Sequence, residues 1–158
     1  MTGSRGNRCG RVAGMIATVG PLGHLPLAPG TWGAAAAVVL APCLASTPMW
    51  RVWFGWALVT GVAWWAVDLV LADRRDDDPR EVVIDEFVGC GLALSCVPAG
   101  WGWWLAAFAL FRWLDIRKPS LIGWCDRSLH GATGVIADDV LAGVAAGVSV
   151  AGFACVAG

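Results

Sequence analysis

Five long apolar stretches follow one another along the chain, and short polar segments separate them. They cover residues 33–47, 50–72, 81–97, 100–114 and 138–157. The second and the last reach the ~20 residues that a helix needs to cross a bilayer, whereas the other three are shorter, and each alone could be re-entrant or interfacial. The pattern predicts an all-α membrane bundle of about five helices, with residues 1–19 as an N-terminal cytoplasmic segment and residues 20–158 as the membrane-embedded domain.

Local signals set the expected ends of these helices. The Asp-Pro-Arg-Glu sequence at 78–81 fits an N-cap, a proline at the first helical position and a capping acid, so the third helix is predicted to begin there. Pro119 limits the fourth helix. Gly131 and Gly134 predict a loop, after which the last helix is expected to begin at the acidic pair 138–139.

The composition favours a lipid environment. Hydrophobic residues make up 58% of the 158 residues, the mean hydropathy is +0.66 and only 15% are charged, which is more apolar than a water-soluble globule usually is. Eleven tryptophans occur without a single tyrosine. Five of them are expected to form an aromatic belt at one membrane surface: Trp50, Trp53, Trp101, Trp103 and Trp104.

Two classes of function are disfavoured by the same composition. The net charge of −1 provides no basic field, so nucleic-acid binding is not expected. The six cysteines form no Cys-x-x-Cys pair, and two histidines are too few for a zinc site of ordinary Cys/His spacing. The cysteines are therefore interpreted as buried free thiols.

The charged residues divide unequally between the two sides of the predicted bundle. If all five stretches cross, ten of the eleven basic residues fall on the N-terminal side and only Arg51 falls opposite, which makes the N-terminal side cytoplasmic. The polar segments around Arg74 and Arg127 should then be cytoplasmic, and the segment 98–100 periplasmic. The acidic residues, except Asp68, share the basic side. Such convergence predicts one polar site at the inner membrane surface.

Adjacent carboxylates mark two places in this site. Asp85 and Glu86 stand near the head of one apolar stretch, and Asp138 and Asp139 stand near the head of another. A favourable position in the helix dipole, or a capping role, is the alternative explanation for each pair. Paired acids repel each other unless a cation or a basic residue binds them, and hard carboxylate oxygens suit Mg²⁺ together with a phosphate. The two pairs are therefore candidate magnesium ligands.

Other polar groups could hold a phosphate. Gly30 and Thr31 lie in a proline-rich loop at the head of the first apolar stretch, where backbone N–H groups and a hydroxyl can bind an anion, although Thr31 could simply be an N-cap. Arg112 and Asp115 can pair on one helix face, and Lys118 follows them. These three could equally be a snorkelling cluster that anchors the helix.

Three further polar residues have weaker signals. Arg127 follows Asp126 in the last polar segment and is a candidate contact to the substrate. His24 and His130 could each act as a general acid or base. A lone histidine in a loop is more commonly a surface or hydrogen-bonded residue.

Four segments of the chain together resemble the phosphatidylglycerophosphatase A family. They are PLAPGTWG at 26–33, DEFVG at 85–89, FRWLDIRKP at 111–119 and GVIADDVLAG at 134–143, and the resemblance extends from about Gly20 to Gly147. It implies an integral protein of the bacterial inner membrane that uses Mg²⁺ to remove phosphate from phosphatidylglycerophosphate and so gives phosphatidylglycerol. The chain has Ala34 where the family often has a hydroxyl residue, and Ser120-Leu121-Ile122 replaces a more proline-rich stretch.

The expected site combines these residues with the resemblance. The catalytic candidates are Asp85, Glu86, Asp115, Lys118, Asp138 and Asp139. The candidate magnesium ligands are Asp85, Glu86, Asp138 and Asp139. The candidate substrate contacts are Gly30, Thr31, Arg112, Lys118 and Arg127. Asp115 could pair with Arg112, act as a base or be a nucleophile, and its sequence position does not separate these roles.

Two other classes of function fit part of the pattern. A membrane cation or proton transporter would place carboxylates near mid-bilayer on several spans, and only Asp68 is a candidate for that position. A non-catalytic membrane subunit would pack through glycine faces such as Gly143 and Gly147, which form a GxxxG pair. Neither class explains why four polar motifs converge on one side.

Overall fold

The computed structural model describes residues 3–72 and 79–157, and all regular structure in these ranges is helical. The prediction of an all-α fold is confirmed. Seven α-helices and one 3₁₀ turn, Leu22–His24, make up the described chain. The helices are α1 (Gly3–Ala17), α2 (Pro29–Ala45), α3 (Met49–Ala72), α4 (Ile84–Cys96), α5 (Trp101–Arg117), α6 (Ser120–Ser128) and α7 (Gly131–Ala157).

Two of the helices were not predicted. Helices α2, α3, α4, α5 and α7 correspond to the five apolar stretches, whereas α1 and α6 lie in segments that look polar. Helix α1 contains arginines and several glycines, and among its residues 8–17 only a narrow stripe, Ala13 and Ala17, is buried. That stripe packs against α3. Because glycine lowers helix propensity, tertiary packing rather than local sequence stabilises this helix.

The predicted start of the third apolar helix is wrong. Helix α4 begins at Ile84 and not at Pro79, while Asp78, its predicted N-cap, lies outside the described residues. The backbone N–H of Val83 donates to the carbonyl of Ala17 at 2.9 Å, which holds residues 79–83 against the end of α1 instead of in a helix. As a result Asp85 is in the first turn of α4.

The predicted start of the last helix is also wrong, because α7 already begins at Gly131. Gly131 has a φ of +65°, a value that glycine adopts readily. Asp138 therefore lies about two turns inside the helix rather than at its cap. The prediction that Pro119 limits the fourth apolar helix is confirmed, since α5 ends at Arg117 and Lys118 is its C-cap.

Helix α4 is the centre of the fold, and α7 approaches it through glycines. Residues of α4 from Ile84 to Leu94 are almost all buried, and α2, α5 and α7 surround them. A Cβ atom on Gly143 would clash with the backbone carbonyl of Gly89, and one on Gly147 would lie 2.8 Å from Cβ of Cys96. This GxxxG pair therefore allows backbone-to-backbone contact between the two helices.

We expect Gly143→Ala to destabilise the protein by roughly 1–3 kcal/mol, because the added methyl group must push α7 away from α4. Gly152→Ala is the matched control, since no atom lies within 4 Å of the added Cβ on the same helix. Thermal unfolding in detergent measures both variants. Equal midpoints for Gly143→Ala and Gly152→Ala would show that the contact between the helices is not tight.

In the described part of the chain, two helices, α3 and α7, are long and apolar enough to cross a bilayer. In the most apolar 18-residue segment of each helix, only 22% of α3 and 28% of α7 is buried inside the protein. Most of the surface of both segments therefore faces outward. Large apolar side chains such as Phe54, Leu58, Val148 and Phe153 are exposed on these helices. Their outer surfaces are typical of lipid contact and support an association of the chain with the membrane.

The predicted aromatic belt needs one correction. Trp50, Trp53 and Trp101 are exposed at the helix ends where α3 and α5 begin, and Trp103 is partly exposed. Trp104 is only 6% exposed and belongs to the core, where its ring meets that of Trp101 edge-on at 5.3 Å. Trp101, Trp103 and Trp104 lie within about one turn of α5, where side chains point in different directions around the helix axis. They cannot all face the same surface, and Trp104 points into the core.

Candidate active site

A pocket of about 540 Å³ opens where α2, α4 and α7 begin and α5 ends. This volume suits the polar part of a lipid headgroup. Among the described residues, six acidic and three basic side chains line it: Asp85, Glu86, Asp115, Asp126, Asp138, Asp139, Arg80, Arg112 and Lys118. With these nine groups ionised, the described lining has an excess of three negative charges. A phosphate dianion would be repelled unless a cation or protons neutralise part of that excess.

Three carboxylates form the floor of this pocket. Oxygen atoms of Asp85, Glu86 and Asp139 all lie within 4.8 Å of one another. The first two come from the first turn of α4, and Asp139 comes from α7. Gly89 makes the approach possible, because a Cβ atom there would lie only 2.5 Å from the carbonyl oxygen of Asp139. A glycine one turn after the acidic pair therefore brings the third carboxylate into the cluster.

The donor atoms of this cluster fit a divalent cation. Asp85 Oδ1, Glu86 Oε2 and Asp139 Oδ2 are buried and have no hydrogen-bond partner among the described residues. A buried carboxylate oxygen without a partner is costly, and three of them together repel one another. A cation bound between them would satisfy all three oxygens. Hard oxygen donors select Mg²⁺ or a similar ion over the metals that prefer histidine or thiolate ligands.

Arg112 borders the cluster on the side of α5. Its Nη1 atom lies 2.5 Å from Asp115 Oδ2 and 3.7 Å from Glu86 Oε1, so the predicted pairing of Arg112 with Asp115 is confirmed. The Nε atom of Arg112 is buried and has no partner among the described residues. An unpaired guanidinium N–H beside a carboxylate cluster is available to an oxygen of a bound ligand.

Lys118 faces the same pocket from the end of α5. It has a left-handed backbone, with φ 43° and ψ 55°, which is uncommon outside glycine and costs energy. Its Nζ donates to Asp126 of α6 and, at 2.6 Å, to Asp138 Oδ2 of α7. Partial burial lowers the pKa of Lys118, but the hydrogen bonds to these two carboxylates outweigh it, so the pKa lies above the usual value. The ammonium group therefore stays charged at neutral pH.

The two acids of the second pair face different partners. Asp139 belongs to the three-carboxylate cluster, whereas Asp138 accepts hydrogen bonds from Lys118 and, through Oδ1 at 3.0 Å, from the backbone N–H of Asp139. The structure thus brings three of the four candidate magnesium ligands together. The fourth, Asp138, is in contact with the lysine.

The loop before α2 contributes Gly30 but not Thr31. Helix α2 begins at Pro29 with Ala28 as its N-cap, so Thr31 is not the capping residue, and it does not line the pocket. Gly30 lies directly against the cluster, because a Cβ atom there would clash with Glu86 Oε1. The backbone N–H groups of Thr31 and Trp32 both bind the carbonyl of Ala28.

Arg127 and His24, also named as candidates from the sequence, are exposed and lie outside the pocket lining. His130 does line the pocket, at its exposed edge. Arg80 lines the same edge and was missed by the sequence analysis. The sequence predicts Arg80 in the first turn of a helix, whereas it lies on a turn before α4. No local pattern around Arg80 indicates that it borders the acidic pocket.

Comparison with known proteins identifies the family. The sequence model of the phosphatidylglycerophosphatase A family matches residues 15–154. This range includes every described residue that lines the pocket. The chain belongs to the phosphatidylglycerophosphatase A family. This membership makes it a phosphoric monoester hydrolase, and all four segments that carried the resemblance contribute to the pocket wall.

Individual relatives agree with the family. A phosphatidylglycerophosphatase A of Haemophilus influenzae is 39% identical over 119 residues, which cover 74% of this chain and 73% of the relative. The phosphatidylglycerophosphatase A of Escherichia coli K12 is 33% identical over 138 residues, which cover 77% of this chain and 72% of the relative. A third relative, from Bacteroides thetaiotaomicron, is 38% identical over 130 residues, which cover 77% of this chain and 80% of the relative. Its name gives phosphatidylinositol-3-phosphatase as a provisional function. No solved structure matches the chain.

Proposed function

We propose that this chain hydrolyses the terminal phosphomonoester of phosphatidylglycerophosphate and releases phosphatidylglycerol and phosphate. The observation that carries the proposal is the pocket itself, in which a buried carboxylate cluster and two paired cations meet at one end of an apolar helix bundle. Phosphoryl transfer depends mainly on positioning and on charge stabilisation, and these groups supply both.

Asp85, Glu86 and Asp139 would hold Mg²⁺ in this pocket. When bound, Mg²⁺ would neutralise charge on the phosphoryl oxygens and lower the pKa of a coordinated water. Without it, the unpartnered oxygens of the cluster would repel the substrate. The cluster thus gives a physical reason for a divalent-metal requirement of the enzyme.

The cationic side chains would bind the phosphate oxygens. Lys118 and Arg112 lie on the α5 side of the pocket, and each is already oriented by a carboxylate that is not part of the cluster. Asp138 positions the lysine, and Asp115 positions the arginine. Asp115 could also take the proton of the attacking water or act as the nucleophile. In direct hydrolysis, the new P–O bond forms to water, the bond to the glycerol oxygen breaks, and that oxygen leaves with a proton.

We further propose that α2, α3, α4, α5 and α7 all cross the inner membrane, with the pocket at the cytoplasmic surface. Helix α4 has only 13 residues, which is about 20 Å and shorter than the hydrocarbon core. Its neighbours bury it almost completely, so its length does not have to match the bilayer. The described basic residues lie at the pocket end of the bundle, except Arg51, which lies at the other end. An excess of Lys and Arg is typical of the cytoplasmic side, so this distribution supports a cytoplasmic pocket.

The orientation is tested by labelling single cysteines in intact cells, on a background without the six native cysteines. We expect a cysteine at Ala99, between α4 and α5, to react with an impermeant thiol reagent, because that loop is periplasmic in this arrangement. A cysteine at Ser128, at the end of α6, should react only after permeabilisation. The reverse pattern at these two positions would contradict a cytoplasmic active site.

The substrate assignment is tested with a panel of phosphomonoester lipids. We expect the purified protein to hydrolyse phosphatidylglycerophosphate with a higher kcat/KM than phosphatidate or phosphatidylinositol 3-phosphate. All three offer a terminal monoester, so their order reports how the pocket recognises the rest of the headgroup. A preference for phosphatidylinositol 3-phosphate would replace the proposed substrate while keeping the reaction class.

A further inference from the structure

One cation of the pocket has no partner in the part of the chain that the structure describes. Arg112 and Lys118 each bind carboxylates, whereas Arg80 forms no hydrogen bond or ion pair with the described residues, although it lines the same pocket. Arg80 is exposed, so it lies at the mouth, while Asp85 and Asp139 are buried at the floor. Among residues 3–72 and 79–157, no acid pairs with this positively charged group at the entrance of the pocket.

The turn that carries Arg80 is well anchored. Pro79 is fully buried, and its carbonyl accepts a hydrogen bond of 2.9 Å from the backbone N–H of Val82. Val83 is also buried and is tied to Ala17 of α1. Because the backbone on both sides is packed, the side chain of Arg80 projects from a fixed position at the mouth. A fixed cation is better suited to one defined ligand than a cation on a mobile loop.

We infer that Arg80 forms a second anion subsite that binds the phosphodiester group of the lipid substrate. This inference rests on the proposed function. Phosphatidylglycerophosphate has two phosphate groups joined by a glycerol bridge, with close to two charges on the monoester and one on the diester. When the monoester reaches the floor, the diester lies toward the mouth and the acyl chains extend into the bilayer. The guanidinium of Arg80 can then donate to the diester oxygens.

The subsite would supply a selectivity between lipid substrates that the floor of the pocket cannot supply. The monoester groups of phosphatidate and phosphatidylglycerophosphate are chemically alike, so the carboxylate cluster, Arg112 and Lys118 do not distinguish them. Only the second lipid has a separate diester for Arg80. The other explanation of an exposed arginine at a membrane surface is unspecific anchoring to headgroups, and the experiment separates the two.

The test uses two probes with purified full-length protein in a non-ionic detergent. Dihexanoyl phosphatidylglycerol, which has the diester without the monoester, probes the mouth by calorimetry, and inorganic phosphate probes the floor as an inhibitor. We expect Arg80→Gln to weaken phosphatidylglycerol binding about tenfold and to raise KM for phosphatidylglycerophosphate by a similar factor, with kcat little changed. Inhibition by inorganic phosphate should not change. Arg80→Lys should recover part of the affinity.

Arg51→Gln is the matched control, because Arg51 is an exposed arginine at the other end of the bundle, beside the ring of Trp50. It should bind phosphatidylglycerol like the wild type. Unchanged binding by Arg80→Gln, or an equal loss for phosphatidylglycerol and inorganic phosphate, would overturn the subsite. A wild type that binds phosphatidylglycerol through Arg80 but does not hydrolyse phosphatidylglycerophosphate would refute the proposed function and leave the subsite standing.

Discussion

Asp139→Asn is expected to lower kcat/KM for phosphatidylglycerophosphate by about 10²–10³-fold or more and to raise the Mg²⁺ concentration needed for half-maximal rate. The substitution removes one of three charged oxygens that lie within 4.8 Å of one another, while it keeps the shape of the side chain. Losing one preorganised electrostatic group in an active site typically has an effect of this size. Initial rates measured over a range of Mg²⁺ concentrations test the expectation, and Asp85→Asn should behave in the same way.

The same variant should not unfold more readily. Removing one of three mutually repelling carboxylates relieves a cost that the protein bears without metal, so the metal-free variant should melt at the same temperature as the wild type or higher. Asp68→Asn is the control, because Asp68 is exposed on α3 and lies outside the pocket lining. Wild-type rates in both Asp85→Asn and Asp139→Asn, at normal expression, would reject the assignment of metal ligands.

Lys118→Met is expected to reduce turnover by about 10²–10³-fold, by the loss of one positioned positive charge at the phosphate. Methionine keeps a similar length and apolar stem but cannot donate to Asp126, to Asp138 or to a substrate oxygen. Lys118→Arg should recover only part of the rate, because the planar guanidinium cannot reproduce the compact ammonium at the left-handed end of α5. Initial rates on short-chain phosphatidylglycerophosphate measure both variants.

Two controls show whether the lysine acts on the substrate. Arg117→Met changes the neighbouring cation, which is exposed and does not line the pocket, and should retain nearly full activity. The melting temperature of Lys118→Met should report how much the Lys118 network contributes to stability independently of turnover. If Lys118→Met turns over substrate at the wild-type rate, then the lysine only joins α5, α6 and α7.

The candidate site was largely predictable because its acids occur as adjacent pairs beside apolar stretches. Asp85 and Glu86 both reach the cluster, as their spacing suggested. The roles of Asp138 and Asp139 could not be divided from the sequence. Successive side chains on a helix point about 100° apart, so one acid faces α4 and the other faces Lys118. Which one faces which depends on how α7 packs, and Gly89 and Gly143 determine that packing.

The parts that the sequence did not indicate depend on contacts between distant segments. The hydrogen bond from Val83 to Ala17 shifts the start of α4, and no local pattern around Val83 reveals it. It also places Arg80 on a turn at the mouth of the pocket instead of within a helix. Helix α6 likewise depends on its packing against α7, since its nine residues are too few to be stable alone.

The most direct measurement is phosphate release from phosphatidylglycerophosphate by the purified protein in detergent, with Mg²⁺ and with EDTA, alongside Asp139→Asn. We predict that the wild type releases one phosphate for each phosphatidylglycerol formed, that EDTA stops the reaction and that added Mg²⁺ restores it. Asp139→Asn should release almost none in either condition. Absence of phosphate release from the wild type with Mg²⁺ would contradict the proposed reaction, and an equal rate in EDTA would contradict the role of the carboxylate cluster.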